Sequence, residues 1–276
     1  MIHLTPHLIL SVALMLLVSA PAMAIQTAPA IGSVPAGIVL ISGGEYVPLY
    51  NSPDGEEAET VAEFYMDADP VTNGAFLEFV VANSRWQRSD ISRLFADEAY
   101  LRHWAADTEL GMKALQDQPV TNISWFAAKA FADWNGRRLP TLAEWEMVAS
   151  AGVRSADGLS EPGFNARILA LTNQPVRRPL PDVGDSEPNF WGVRDMHGLV
   201  WEWVADFNSA LVTGESRADA SLERKLYCGS GVVGASDFTD YAAFMRFAFR
   251  ASLKANYTVP NLGFRTVMDA PGADAL

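Results

Sequence analysis

The amino-acid sequence predicts an irregular α+β domain with little regular secondary structure. Three helical patterns lie in the first half of the chain, where apolar residues recur at intervals of three and four. A loop-like stretch from Ser155 to Glu187 follows, rich in glycine, proline, aspartate and asparagine. Four short strand candidates complete the pattern, at 199–204, 226–233, 244–250 and 262–267. No segment has the composition of a linker, so we expect one domain.

Residues 1–24 form a predicted signal peptide. The apolar run from Leu8 to Ala20 has the length of a signal-peptide core, and Ala22-Met23-Ala24 gives the small-x-small pattern of a signal peptidase site. A membrane anchor is the alternative, but the run is short for a span of about 20 residues and Pro21 lies at its end. We therefore expect export to the periplasm, with residues 25–36 as a Pro/Ala-rich lead-in.

The charge and the cysteine content limit the partners and the sources of stability. A net charge of −13 argues against nucleic acid and anionic membrane surfaces as partners, and it is compatible with cations. Cys228 is the only cysteine among the 276 residues, so an exported chain cannot hold its fold with internal disulfides. Stability must then come from the core, with a metal ion as a further contributor.

The first elements are predicted strands and turns. Ile38 to Pro48 is β-rich around Gly43-Gly44 and predicts a hairpin or a bulged strand pair. Asn51 to Glu59 is an acidic loop, and Val61 to Met66 alternates like another strand. The letters PVTN occur at 70–73 and at 119–122, each time before a helical pattern. We interpret them as a recurring way of entering a helix, with an internal repeat as the alternative.

The predicted helices follow the two PVTN copies. Phe76, Phe79 and Val80 mark the first, and a helix that Gly136 closes follows the second copy. The third helix begins at a capping box, Thr141 with Glu144. Its predicted buried face consists of Leu142, Trp145, Val148 and Ala149.

Four segments in order carry a family resemblance. They are Gly43-Gly44-Glu45, PVTNISWFAAKAFADWNGRRLPTLAEWEMVA at 119–149, GVRDMHGLVWEWVADF at 192–207 and RFAFRASLKANYTVPNLGFR at 246–265. Together they resemble the formylglycine-generating enzyme family, the sulfatase-modifying factor domain. The resemblance covers residues 37–270 and leaves 271–276 as a tail. It implies a compact, irregular relative of the C-type-lectin fold.

The resemblance also implies a calcium site. Family members wrap calcium in the segment that corresponds to DMHGLVWE, which would give side-chain oxygens from Asp195 and Glu202 and carbonyl oxygens from Gly198 and Val200. Calcium takes six to eight oxygen ligands, and a glycine turn lets carbonyls converge. The alternative is an ion pair of Glu202 with an arginine such as Arg265 or Arg250. A second family site would begin near Asn165-Ala166, and we leave it open.

The family's copper site is not expected in this chain. Formylglycine-generating enzymes oxidise a cysteine in a Cys-x-Pro-x-Arg segment with copper(I) held by two cysteines five residues apart, and soft thiolates suit copper(I). Two alignments place that pair on Val233 with Phe238 or on Asp237 with Ala242, and neither provides a cysteine. Cys228 is most simply a small buried hydrophobe.

Other chemistry remains open in the same cleft. Exported relatives that mature the pyoverdine chromophore also lack the cysteine pair. The catalytic candidates are Asp237, Asp240, Tyr241 and Arg246, since acids and a tyrosine could transfer protons. A polar loop is the alternative for these residues. A two-histidine iron site from His103 and His197 is a further alternative.

A narrower resemblance points to a partner. VPLYN, ANSRWQRSDISRLFADEAYLRHW, ADFNSALVTGESR and the C-terminal segment look like the NirV-type proteins associated with copper nitrite reductases of denitrifying bacteria. This implies an exported factor that acts in maturation or assembly of a periplasmic redox protein. The alternatives are a divergent oxidoreductase in the same cleft and a lectin-like module that binds a sugar or peptide.

Overall fold

The structure is a computed structural model that describes residues 1, 36–49, 58–172, 174–175, 178–208 and 241–271. Packing divides the chain into Met1–Val34 and Pro35–Leu276, and the described strands and helices all belong to the second unit. The predicted cleavage site, residues 51–57 of the predicted acidic loop, the strand candidate at 226–233 and Cys228 lie outside the described residues. The end of that predicted loop is wrong, because Glu59 begins a strand. Within the described ranges, no helix has the length and apolar character needed to cross a bilayer.

The described strands are short and form three small sheets. They are β1 (Ile38–Ile41), β2 (Gly44–Tyr46), β3 (Glu59–Val61), β4 (Phe64–Asp67), β5 (Trp201–Glu202), β6 (Leu262–Gly263) and β7 (Val267–Asp269). Strand β4 lies between β1 and β7, antiparallel to both, and β2 pairs antiparallel with β3. The parallel pair of β5 and β6 places the DMHGLVWE segment beside the NLGFR segment.

The described helices are α1 (Asn73–Ala82), α2 (Trp125–Trp134), α3 (Leu142–Ala149), α4 (Phe164–Thr172) and α5 (Tyr241–Ala251), with 3-10 turns at Ser84–Trp86 and Gly158–Ser160. The first three begin at capping hydroxyls, which satisfy amide groups that the helix leaves without partners. The predicted capping box of Thr141 and Glu144 is confirmed at α3. The predicted α+β class is therefore confirmed, with most of the described chain in turns and loops.

An aromatic core joins the N-terminal helices to the C-terminal strand region. Phe131 of α2 stacks on Phe76 of α1 with ring centroids 5.6 Å apart, and it meets Phe264 edge-on at 5.3 Å. Phe76, Phe79 and Phe264 are almost fully buried. Burial of such rings supplies much of the apolar stabilisation and fixes the NLGFR segment against the helices.

The predicted hairpin at 38–48 is wrong in its pairing. Strands β1 and β2 do not pair with each other, because β1 pairs with β4 and β2 with β3. Gly43 lies between β1 and β2, where the chain passes close to the end of β3. A Cβ at this position would lie 2.5 Å from the carbonyl oxygen of Val61. Only glycine allows the two backbones to approach so closely.

Two other element predictions need correction. The strand candidate at 244–250 lies inside α5, and the predicted loop at 155–187 contains α4. In α5, the mostly apolar run from 244 to 249 imitates a strand. The helix instead buries Arg246, Phe247 and Arg250 on one face. Buried arginines break the apolar pattern on which the prediction relied. The strand candidates at 199–204 and 262–267 are confirmed in part as β5, β6 and the start of β7.

The two PVTN copies lie against each other. Thr72 bridges to Pro119, and the amide of Val120 donates to the carbonyl of Val71 at 2.9 Å. Thr72 caps α1, whereas α2 is capped by Ser124, beyond the second copy. The helix-entry interpretation therefore holds only for the first copy.

Candidate functional site

The DMHGLVWE segment forms a tight turn that leads into β5. Asp195 has φ = +57° and Gly198 has φ = +89°, both in the left-handed region, which aspartate tolerates and glycine favours. The Oδ2 atom of Asp195 accepts the amide of Gly184 at 2.5 Å, and its amide donates to Ser186 Oγ at 2.7 Å. The turn thus positions one predicted carboxylate and both predicted carbonyls before Glu202.

Glu202 is fully buried in an ion pair with Arg265. The guanidinium donates from Nε to Oε2 and from Nη2 to Oε1, each at 2.8 Å. Trp145 Nε1 also donates to Oε2, at 2.7 Å. Of the two arginines considered as alternatives from the sequence, Arg265 is the partner, while Arg250 binds a different glutamate.

Arg265 is held by more than Glu202. Its Nη1 donates to the carbonyls of Asp67 and Ala68, and its Nη2 also donates to the carbonyl of Arg194 at 2.9 Å. The guanidinium therefore joins β4, the turn before β5 and the C-terminal segment. Removing either Glu202 or Arg265 would leave the other charge buried without a counter-charge, so loss of one partner should destabilise the fold.

The acceptors that remain fit the predicted calcium ligands in kind. No hydrogen bond between described residues ends on Asp195 Oδ1 or on the carbonyl oxygens of Gly198 and Val200. On Glu202, Oε1 accepts only Arg265 Nη2 among the described groups, so a second lone pair is left there. Among the described residues no three His, Cys, Asp or Glu side chains come together as a metal cluster, and the predicted set holds only two.

A second buried charge cluster lies on the other side of Trp145. Glu146 on α3 accepts from Arg246 Nη2 at 2.7 Å and from Arg246 Nε at 3.0 and 3.1 Å. Arg250, one turn further along α5, donates from Nη1 to the same carboxylate. Arg246 and Arg250 are 6% and 4% exposed as whole residues. We call Glu146, Arg246 and Arg250 the Glu146 triad.

Electrostatics and the indole ring hold the Glu146 triad together. Burial raises the pKa of Glu146, but the charges of Arg246 and Arg250 outweigh it and lower the pKa to about 2. The Arg250 guanidinium carbon lies 4.4 Å from the centroid of the Trp145 ring, a cation–π contact. Trp145 therefore links both clusters, with its Nε1 on Glu202 and its face under Arg250.

Two cavities flank the Glu146 triad. One, of ≈ 120 Å³, is lined by both arginines, Trp145, His197 and the turn from Met196 to Glu202. The other, of ≈ 480 Å³, is lined by Glu146 and Arg246 together with β2 and Trp191. Charged groups between two cavities can orient a polar ligand in either, which makes this region the candidate functional site.

Two titratable groups at these cavities have shifted pKa values. Burial raises the pKa of Tyr46, and the charge of Glu146 adds to the effect. Burial and the charge of Arg246 lower the pKa of His197 to about 4, against the opposing hydrogen bond to the carbonyl of Ala149. His197 is therefore neutral near pH 7, and its Nε2 lies 2.9 Å from that carbonyl.

The predicted catalytic residues are only partly brought together. Asp237 and Asp240 lie outside the described residues. Tyr241 is 53% exposed at the start of α5, and Arg246 is buried in the Glu146 triad, on a different face of the helix. Ala242, in one of the two copper alignments, is a buried alanine. His103 and His197 line different cavities, so the structure does not form the two-histidine site.

Sequence reasoning missed Glu146 and Tyr46, and it considered Arg250 only as a partner of Glu202, whereas Arg250 pairs with Glu146. The spacing of Arg246 and Arg250, four residues apart, would have placed both on one helical face. Their partner Glu146 is 100 and 104 residues away along the chain, so no local pattern reveals it.

The family model described as "Sulfatase-modifying factor enzyme 1-like domain" matches residues 24–270. The chain is 27% identical over 307 residues to the formylglycine-generating enzyme of Streptomyces coelicolor, covering 92% of this chain and 96% of that protein. It is 28% identical over 280 residues to the Inactive C-alpha-formylglycine-generating enzyme 2 of Bos taurus, covering 84% and 88%.

Two other similarities cover a smaller share of the chains or have lower sequence identity. The chain is 30% identical over 193 residues to the serine/threonine-protein kinase pkn1 of Chlamydia pneumoniae, with 62% of this chain covered, and it spans only 28% of that protein's length. Among solved structures, that of CarF matches with 20% identity and a TM-score of 0.48, covering 86% of this chain and 99% of CarF.

Proposed function

The chain belongs to the sulfatase-modifying factor family, and from this premise we propose that it is an exported accessory factor that matures or assembles a periplasmic redox protein such as a copper nitrite reductase. The observation that carries the proposal is a family domain over residues 24–270 in a chain with a single cysteine. Copper(I) chemistry of the family kind needs two thiolates on one metal. The fold is thus kept without its oxidase ligands, which favours a role in binding another protein.

Relatives and charge support the proposal. A bovine relative is named as an inactive formylglycine-generating enzyme, so the domain is used elsewhere without that activity. The narrower resemblance to NirV-type proteins supplies the partner class, and the −13 charge disfavours nucleic acid and anionic membrane as partners. On this proposal the two cavities beside the Glu146 triad hold a peptide segment of the partner.

Deletion in a host that carries a copper nitrite reductase tests this function. We expect reductase from the deletion strain to have less bound copper and lower activity per protein, and plasmid-borne wild type to restore both. A Cys228→Ala variant should restore them equally, because the proposed role needs no thiol. Fully loaded, fully active reductase from the deletion strain would refute the proposal.

Calcium is the proposed structural ligand of the DMHGLVWE turn. Asp195 and Glu202 would supply side-chain oxygens, and Gly198 and Val200 would supply carbonyl oxygens. The hydrogen bonds between described residues leave lone pairs on these oxygens. The ion would neutralise part of the acidic charge and fix the turn that precedes β5. The Arg265 ion pair and calcium use different lone pairs of Glu202, so the two are compatible.

An enzyme in the same cleft is the second candidate function. It is favoured by Tyr46 and His197, whose pKa values shift in opposite directions at the two cavities. Perturbed titratable groups beside buried charges often mark sites of proton transfer. Turnover of a substrate that depends on His197 would favour this candidate over the accessory role.

A further inference from the structure

His103 lies in a third cavity, away from the Glu146 triad. Both of its ring nitrogens are buried and have no hydrogen-bond partner among the described residues. Unsatisfied buried nitrogens are costly and are rare in native proteins. The residue lines a cavity of ≈ 380 Å³, so a ligand in that space could supply the missing partner.

The described lining of this cavity is positive. Lys113 and Arg178 are its charged members, and no carboxylate is among the described residues that line it. In a chain with 33 acidic and 20 basic residues, such a lining selects for anions. Arg178 makes one long contact, from Nη2 to the carbonyl of Pro260 at 3.5 Å, which leaves most of its donors available.

The floor of the cavity comes from the paired PVTN copies. Thr121 of the second copy is buried and lines the cavity, and no hydrogen bond between described residues uses its hydroxyl. Its neighbours are already engaged: Asn73 binds Trp104 and the carbonyl of Leu115, and Gln118 binds the carbonyl of Leu180. Among the described side chains that line the cavity, the hydroxyl of Thr121, the His103 ring and the two cations are therefore the main available donors.

We propose that this cavity binds a small oxyanion, a phosphate or a carboxylate group, with His103 and Thr121 donating at the floor and Lys113 and Arg178 at the rim. Several donors that converge without an acidic neighbour in the described lining are the pattern of oxyanion sites, and charge-assisted hydrogen bonds give them their strength. The site is separate from the proposed calcium turn and from the Glu146 triad, and it does not depend on the proposed function.

Proton uptake should accompany binding. Burial, followed by the charges of Arg178, Arg102 and Arg88, lowers the pKa of His103 to about 4 in the free protein. Lys113 is a further cation in the described lining of the cavity. An oxyanion at the ring raises that pKa, so binding should tighten as the pH falls from 7 towards 5.

Nuclear magnetic resonance of the histidine rings in the whole protein tests the site. The His103 signal is assigned by its loss in His103→Gln. Sodium sulfate, inorganic phosphate and sodium acetate are added at constant ionic strength, with chloride as the reference salt. We expect a saturable shift of the His103 signal and a smaller shift of His197. Sulfate, which does not titrate in this range, reports the pH dependence.

Matched charge variants distinguish a built site from the general field. Lys113→Ala with Arg178→Ala should weaken binding at least about tenfold, the equivalent of 1.4 kcal/mol. Lys129→Ala with Arg167→Ala removes the same charge from exposed positions outside this cavity and should weaken it less than about twofold. All four positions are exposed or partly exposed, so these variants should fold.

The outcomes separate the ligand classes. Saturation by sulfate and phosphate alone assigns a phosphate-like group, and saturation by acetate alone assigns a carboxylate. The proposal is overturned if no salt saturates the His103 shift, or if the control variants weaken binding as much as the cavity variants do.

Discussion

Two buried glutamate–arginine clusters meet on Trp145, and they differ in how their charges are satisfied. Glu202 and Arg265 form a one-to-one pair in which every guanidinium nitrogen has an acceptor and both side chains are fully buried. Glu146 faces two guanidinium groups with one carboxylate, between two cavities. The first arrangement ties three segments together, whereas the second places charged groups where a ligand can reach them.

The Glu202–Arg265 pair and the Glu146 triad therefore differ in role, although both contact Trp145. A fully satisfied pair has nothing left to offer a ligand except the lone pair that calcium would use. The Glu146 triad retains donors on Arg250, for which the described hydrogen bonds use only Nη1. Mutations on the Glu202 side should therefore cost stability, and mutations on the Arg250 side should cost function more than stability.

The largest effect is expected from Arg265→Met. Removing the guanidinium leaves Glu202 charged and buried, and loss of one partner of a buried ion pair costs about 3–5 kcal/mol. Urea unfolding measures the loss. The exposed pair of Lys129 and Asp133 gives the control, where Lys129→Met should cost about 0.5 kcal/mol or less. A loss at Arg265 below about 1 kcal/mol would remove the distinction between the two clusters.

Calcium should act only on the Glu202 side. At a calcium concentration about 100 times its dissociation constant, binding raises the free energy of unfolding by about 2.7 kcal/mol. A chelator should lower the Tm and calcium should restore it. Asp195→Gly keeps the left-handed backbone, removes one ligand and should abolish this response. A wild-type Tm that ignores both chelator and calcium leaves the ion pair as the whole role of Glu202.

Arg250→Met should lower the free energy of unfolding by about 2 kcal/mol, which is less than the loss in Arg265→Met. Glu146 keeps its bonds to Arg246, and the losses are one charge-assisted hydrogen bond and the contact with Trp145. The same variant should lower complementation of the deletion strain strongly. Urea unfolding of the variant and the copper content of the reductase in the complemented strain measure the two effects. A variant that complements fully would place the functional groups elsewhere.

The pH dependence should show a smaller effect. The pKa of His197 is lowered to about 4 from an ordinary value of 6.5, so in this window the unfolded chain binds a proton that the folded chain does not. Stability should fall by about 1 kcal/mol between pH 6.5 and 5.5 from this residue, and less in His197→Gln. Glu146, with its pKa lowered to about 2, contributes stability that is lost only below about pH 4.5. An equal slope in wild type and variant would contradict the assignment.

What the sequence could predict was local. The capping box at Thr141, the first three helices and the turn from Asp195 to Glu202 follow from short patterns. The pairing of β1 with β4 and the α-helical state of 244–250 did not, because they depend on contacts far along the chain.

The same limit applies to the candidate site. Arg246 was noticed for its charge near the copper positions, but its role depends on Glu146, which lies on α3 among apolar residues. A glutamate in that position is usually solvent-facing, and only the two arginines of α5 explain its burial. Physical chemistry makes the burial intelligible afterwards, once the partners are known.

Incubation with a Cys-x-Pro-x-Arg peptide, copper and a reductant in air shows whether this family domain has lost its copper oxidase chemistry. The protein has one thiol, so copper(I) cannot be held by two thiolates of the same chain. Mass spectrometry should show no loss of mass at the peptide cysteine, with wild type and Cys228→Ala alike. Aldehyde that forms with wild type and disappears with Cys228→Ala would contradict the account.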